Sequence, residues 1–227
     1  MYLKLIIALA HQLLWNMIMM KKLLSICLAL GVCLGVAART ARDFFVTAPD
    51  SVVVLLPQAT RLDMLDYFEF GSTRASSNTF RGEARMTSVA DGVVAFDVDK
   101  DVNMQLAVIP VAQADTMLAI VTTLHMPFAD SSIRFYNADW KPLAKTPFVM
   151  PGYDEWLTPA GAAVSGDVQA ELPFMPVKAE FDPEVTVLLL NNEATSYLDS
   201  SRVDSISPKI ESSKVYDIRG GKFVLRK

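Results

Sequence analysis

The chain has 227 residues, with 21 basic and 25 acidic side chains for a formal charge of −4 at pH 7. Its Lys and Arg are scattered within an acidic balance, which argues against a nucleic-acid partner. Both cysteines, Cys27 and Cys33, fall in the first 38 residues, so the remainder can form no disulfide, thiol nucleophile or thiolate metal site.

Those 38 residues contain no Asp or Glu. They form two apolar runs, Leu5 to Met20 and Leu23 to Ala38, separated by Lys21-Lys22. Each run is shorter than the roughly 18 to 20 residues that cross a bilayer comfortably. The second has the anatomy of a secretory signal: a positive pair, a Leu-rich centre, then the small residues Ala37-Ala38 after Val36. We therefore expect residues 1–38 to be a signal peptide, with translation starting at Met19 or Met20. An uncleaved anchor would leave Lys21 and Lys22 unpaired in hydrocarbon, which is costly. Ile26 and Val32 precede the cysteines, where lipid modification would require a small residue. Removing Lys4, Lys21 and Lys22 leaves 18 basic against 25 acidic residues, a net charge of −7. The expected location is periplasmic, secreted or cell-surface, with no membrane insertion of the mature chain. Without disulfides, its stability must come from the core.

Residues 39–48 read as a loose leader. Asp50-Ser51 can cap a short helical turn over Val52 to Leu56, which Pro57 would end. Thr60 opens a helix over 61–70, with Asp63 completing a variant of the capping box. On its wheel Met64, Leu65, Tyr67 and Phe68 share the apolar arc, while Asp63, Asp66 and Glu69 share the other. Gly71 suits the position just past the helix end. Ser72 to Gly82 is polar and Ser-rich, and reads as an exposed loop.

From Arg85 to Trp140, turn chemistry cuts the chain into short apolar runs, the pattern of consecutive antiparallel strands. Val94, Phe96 and Val98 alternate with Ala95, Asp97 and Asp99; Met104, Leu106 and Val108 alternate with Asn103, Gln105 and Ala107. Asp91-Gly92 can supply the positive φ of a tight hairpin, and Asp99-Lys100-Asp101 the next reversal. Met117 to Leu124 has no polar break before Thr122, as expected of a central strand buried on both faces.

Beyond Trp140, Pro142, Pro147, Pro151 and Pro159 with Gly152 and Gly161 mark a connecting region. Val168 to Leu172 is expected as a strand. Val177, Ala179 and Phe181 alternate cleanly, and Val185 to Leu190 forms another apolar run. Asn191 to Ser207 is polar, with room for one or two helical turns. Gly220-Gly221, between Lys214–Arg219 and Lys222–Arg226, signals a type I′ hairpin. It would set Ile218 opposite Phe223 and Tyr216 opposite Leu225. The expected fold is α+β: a helix and antiparallel meander over 49–145, then C-terminal strands over 146–227. Those strands either extend the sheet or form a second lobe.

A resemblance accompanies this pattern. Arg61-Leu62-Asp63-Met64-Leu65-Asp66, then Met86-Thr87 and Asp91, then Ile133-Arg134-Phe135-Tyr136 with Trp140-Lys141 resemble the domain of unknown function 3256 family. These are exported proteins of Gram-negative gut and oral anaerobes. The likeness runs from Pro49 to the C-terminus and implies export and an α+β body. It carries no catalytic or binding residues.

The inventory of reactive groups is thin. His11 lies in the export segment and His125 stands alone, so a histidine-rich zinc site cannot form. No serine sits in a Gly-x-Ser-x-Gly elbow, and His125 is expected to play a hydrogen-bonded structural role. Asp97, Asp99, Asp101 and Asn103 are spaced like an EF-hand start. Val102 and Val108 occupy the sixth and twelfth positions, where such a loop needs Gly and Glu. We therefore expect neither metal nor cofactor. Asp63, Asp66 and Glu69 form an ordinary solvated face. His125, Phe128, Phe135, Tyr136, Trp140, Phe148, Tyr153 and Trp156 crowd one stretch, several of them in loops. Tyr153 and Trp156, flanking Asp154 and Glu155, are the candidate contact for an envelope protein or a glycan.

Three functions follow. The first is a non-catalytic binding module of the cell envelope. The second is a carboxylate hydrolase using His125. The third is a structural subunit of a surface assembly, which a long unpaired edge strand would favour.

Overall fold

A computed structural model describes Trp15, Met17 and residues 19–21, 38–111 and 115–227. The expected signal peptide lies, apart from those first few positions, outside the described residues. The chain divides into two compact units, Met1–Ala38 and Arg39–Lys227, and the second contains both sheets.

The expected loose leader is instead a helix, α1 (Ala41–Thr47). Thr40 caps it through a full capping box: its Oγ1 accepts from the Asp43 amide, and its own amide donates to Asp43 Oδ2. Phe44 and Phe45 are buried. Phe45 packs 4.6 Å from Phe96, and Phe44 meets Trp140 edge-on at 6.2 Å. Residues 50–55 form turns rather than a helical segment. Pro57 opens the next helix, α2 (Gln58–Glu69), three residues before the expected start. Pro lacks an N–H, and its fixed φ suits a helix entrance as readily as a helix end. The far end is as expected. Gly71 takes φ +64, its amide donates to Phe68 O, and Ser72 N donates to Tyr67 O, the paired bonds of a Schellman motif.

Arg61, Met64 and Leu65 are the buried residues of α2. Phe68, expected on that arc, is 39% exposed. The buried stripe is narrower than the wheel implied, and the guanidinium of Arg61 occupies part of it. Ser72 to Gly82 is not simply exposed either. Ser76–Ser77 forms a short strand, β1, and Asn78 is buried. Asn78 Oδ1 accepts from the amides of Phe80 and Gly82, and its Nδ2 donates to Val98 O. One side chain thereby replaces the backbone partners that this turn lacks.

The meander is β2 (Glu83–Val89), β3 (Val93–Asp99), β4 (Val102–Pro110), β5 (Thr116–His125) and β6 (Ala129–Asn137). With β1 it forms a six-stranded antiparallel sheet in sequence order. The expected hairpin at Asp91-Gly92 is present, closed by Ala90 N donating to Val93 O, but neither residue has positive φ. The expected central strand, β5, is buried on both faces from Met117 to Val121 yet lies next to the edge, because β6 pairs along its far side.

Each face of this sheet carries a core. On one, Val94, Phe96, Leu106, Leu118 and Ile120 pack with Phe44, Phe45, Met64 and Leu65. On the other, Val93, Ala107, Ile109, Ala119, Val121 and Phe135 pack against a second sheet through Val177, Ala179, Phe181, Leu188 and Leu190. That sheet is β7 (Val177–Phe181), β8 (Val187–Asn192), β9 (Ser213–Arg219) and β10 (Lys222–Leu225), in the order β10-β9-β8-β7. The C-terminal strands therefore form their own layer rather than extending the meander. Gly220 and Gly221 take φ +54 and +77, and the expected pairs Ile218–Phe223 and Tyr216–Leu225 are in register. Leu225 runs past the rim of the core and is 45% exposed.

Between the sheets in sequence lie the short helices α3 (Pro159–Ala162) and α4 (Ser165–Glu171), with α5 (Ser200–Ile206) after β8. Val168 to Leu172, expected as a strand, belongs to α4 and its end. Val168 and Leu172, four apart, are both fully buried with Leu157, Ala194, Ile206 and Ile210. An apolar run this short fits either period, and here helical spacing fills the space.

Candidate functional site

The two aromatic residues singled out in the sequence do not form a surface pair. Trp156 is fully buried, with Lys214 Nζ 5.3 Å above its ring. Lys214, itself buried, is neutralised by Glu211. Tyr153 is half-buried, and its hydroxyl donates to Leu172 O at 2.8 Å; burial pushes this phenol upward, with Asp154 adding to the shift. The Pro/Gly-rich loop carrying both folds as a 3-10 turn, Tyr153–Trp156, directed into the core. A binding contact cannot rest on a ring that solvent does not reach.

Strand register brings together polar residues that sequence spacing kept apart. Arg85, Asp97, Asn103, Thr123 and Ser131 stand opposite one another across β2 to β6, on the face that the second sheet partly covers. Thr123 is buried and shares a hydrogen bond with Ser131 (2.8 Å). His125, two residues along on the same face, places Nε2 3.0 Å from the Asn103 side-chain amide nitrogen. Burial holds Asp97 above the usual carboxylate range, with His125 and Arg85 pulling it partly back. The recess beside this row measures about 110 Å³ and is lined by Asn103, Gln105, Thr123, Lys178 and Glu180 among others. No chain of nucleophile, base and orienting group forms here, because the Thr123 hydroxyl bonds Ser131 and His125 Nε2 bonds an amide. Of the acidic run, Asp99 receives the Lys100 amide and Asp101 pairs with Lys100. On α2, Glu69 pairs with Arg42 at 2.7 Å.

An exposed aromatic and apolar surface lies at the tip of the β5–β6 hairpin. Met126, Pro127 and Phe128 turn the chain there, with a cis bond before Pro127. Phe128 lies 4.9 Å from Tyr197, and Phe174 stacks on the same ring at 5.3 Å and 23°. The Tyr197 hydroxyl donates to Phe174 O, which fixes the stack. Met126 is 70% and Phe174 55% exposed. Together with Asp130, Met175 and Pro176, the hairpin tip and Phe174 line a groove of about 200 Å³. Phe128 belonged to the aromatic stretch noted in the sequence. Phe174 and Tyr197 lie far along the chain, and only the crossing of β7 over β6 brings them to it. The local signal was Phe174-Met175-Pro176, an apolar trio immediately before a strand.

A family model described as protein of unknown function (DUF3256) matches residues 33–223. The chain belongs to this family. Among solved structures it is similar to a domain of an uncharacterized protein from Porphyromonas gingivalis W83, with a TM-score of 0.66 and 20% identity. The match covers 80% of this chain and 96% of that one. At that identity the likeness is one of fold, and it extends to the α+β body that the family resemblance implied. No curated protein matches the sequence. In this DUF3256 chain the hairpin-tip groove is built by Met126, Phe128, Phe174 and their neighbours.

Proposed function

We propose that this protein is a non-catalytic interaction module of the cell envelope, which holds a protein partner in the groove at the tip of the β5–β6 hairpin. The observation that carries the proposal is the exposure of Met126 and Phe174 beside an aromatic stack already fixed by a hydrogen bond. Large apolar side chains held open to solvent next to ordered rings mark contact surfaces. The lining favours a protein over a glycan. Six of its seven residues are Met, Pro or Phe, and Asp130, the seventh, already accepts the Val177 amide through Oδ1. A sugar site needs several free polar groups around its stacking ring, whereas an apolar side chain of a partner needs only the groove. Export is supported by the Leu-rich segment ending at Ala37-Ala38, by the absence of cysteine beyond it, and by Arg39 opening the unit that holds the sheets.

The test is photocrosslinking in the native envelope, with p-benzoylphenylalanine at position 174 and a control at Lys145. A discrete protein adduct from position 174, lost on Met126→Asp and missing from the control, is the expected result. No adduct from position 174, or retention of a glycan instead, would overturn the proposal.

A further inference from the structure

The two sheets have four outer edges, and three are partly covered, capped by side chains or shortened. Along β6, the segment after it pairs Pro142 with Tyr136, and Leu143 N donates to Phe135 O. The outward amides of β7 at Val177, Ala179 and Phe181 donate to the side chains of Asp130, Ser131 and Gln105. β10 is four residues long and begins at Lys222; brevity and a terminal lysine are both devices that blunt an edge. The fourth edge, β2, differs. Among the described residues β1 pairs only with Glu83 and Ala84, which leaves Arg85 to Val89 without a neighbour on that side. Gly82 O accepts from Asn78 N, so the outward positions of this edge are Gly82, Ala84 and Met86. A register shift after Met86 then ends the regular alternation.

Where β1 stops, a groove of about 360 Å³ runs beside β2, lined by Met64, Tyr67, Phe68, Arg74, Arg85 and Met86 among others. Its width lies between a helix and an unpaired strand, and one wall is apolar. Arg74 sits 5.3 Å over the Tyr67 ring and makes no ion pair among the described residues, whereas Arg85 pairs with Glu83 at 2.8 Å.

We propose that β2 receives an extended peptide segment of a partner protein as an added antiparallel or parallel strand. An apolar side chain of the segment would sit against Met64 and Phe68, with a carboxylate beside Arg74. Main-chain bonds at Met86 supply the affinity of such additions, and alternate side chains supply the choice. The charge of Arg74 separates this occupant from a second copy of the chain, since two β2 edges brought together would set Arg74 of both copies around one axis, while Arg85 is already paired with Glu83. This surface is separate from the hairpin-tip groove and stands on different residues.

The test uses the full chain and fluorescein-labelled peptides of about seven residues that alternate Leu, Val or Phe with Asp or Glu, followed by anisotropy. Saturable binding is expected, weakened at least about tenfold when alternate amides are N-methylated. Arg74→Glu should weaken the acidic peptides by a similar factor and favour their Lys counterparts, while the melting temperature is unchanged. The proposal is overturned if no peptide of the set binds at about 1 mM, or if methylated and unmethylated peptides bind alike. Loss of binding on Phe174→Ser, or a dimer of the free protein that Arg74→Glu dissociates, would overturn it as well.

Discussion

Gly92, in the turn between β2 and β3, lies directly against Val185 in the turn between β7 and β8. A Cβ at Gly92 would stand 2.8 Å from Val185 Cγ2 and 2.9 Å from Pro183 O. The contact joins the two sheets turn to turn, and Val108 N donates to Gly92 O alongside it. The glycine is required by close approach rather than by an unusual φ. Gly92→Ala should therefore destabilise by about 1–3 kcal/mol, since a backbone carbonyl cannot yield as a side chain does. Gly166, in the first turn of α4, has nothing within 4 Å of its missing Cβ. Gly166→Ala should stabilise by up to about 1 kcal/mol. Thermal melts of the two variants give the comparison, and shifts of the same sign would refute the contact argument.

The orientation of α2 can be tested by two substitutions. Leu65 is fully buried against the sheet, whereas Phe68 is 39% exposed. Leu65→Ala should cost about 2–5 kcal/mol, and Phe68→Ala no more than about 1 kcal/mol despite the larger side chain. Denaturant unfolding measures both. In the same molecule Trp156 should emit to the blue and resist iodide in a Trp15→Phe, Trp140→Phe background, because its ring is fully shielded.

Two carboxylates should respond to pH in opposite senses. Hydrogen bonds from the Thr40 backbone and side chain hold Asp43 below the usual carboxylate range. Its contribution to stability is therefore present above the unfolded carboxylate value and lost as pH falls through the lowered folded one. Asp43→Asn should be destabilising at neutral pH and become indistinguishable from wild type in acid. Asp97 is held above the usual range, chiefly by burial. Its favourable term is complete below the unfolded value and disappears as pH rises through the raised folded one. Asp97→Asn should thus gain on wild type as pH climbs through that window. Urea midpoints measured across the acid range would contradict this if the two differences moved in the same direction.

The sequence disclosed what depends on local period and turn chemistry. The alternation in β3 and β4, the Gly71 helix end and the Gly-Gly hairpin register each follow from a few adjacent residues. It concealed what depends on distant partners. Thr40 and Asp43 form a visible capping box, but seven residues following an expected cleavage site read as a leader until the pocket for Phe44 and Phe45 is known. Val168 and Leu172 fit a strand or a helix, and only the space beneath α4 decides. Trp156 looked exposed because its neighbours are Pro, Gly, Asp and Glu, while its burial is created by Lys214 and β8. The hairpin-tip groove joins Phe128 to Phe174 and Tyr197, a meeting that no local pattern encodes.

The closure of the β7 edge leads to a last prediction, centred on Ser131. Its Oγ accepts the Ala179 amide at 2.9 Å and shares a hydrogen bond with Thr123, which is 2% exposed. Ser131→Ala would strand two groups at once: an edge amide of the second sheet and a buried hydroxyl of the first. Each unsatisfied buried group costs about 1–3 kcal/mol, so the single change should destabilise by about 2–4 kcal/mol. Thr123→Val removes the stranded hydroxyl, so the double variant should recover part of the loss and show non-additivity of at least about 0.5 kcal/mol. Hydrogen exchange separates the two effects. The Ala179 amide should exchange faster in both Ser131 variants, while the neighbouring Val177 amide, held by Asp130, stays protected. If Ala179 kept its protection without the Ser131 hydroxyl, the side-chain bond would not be what seals this edge.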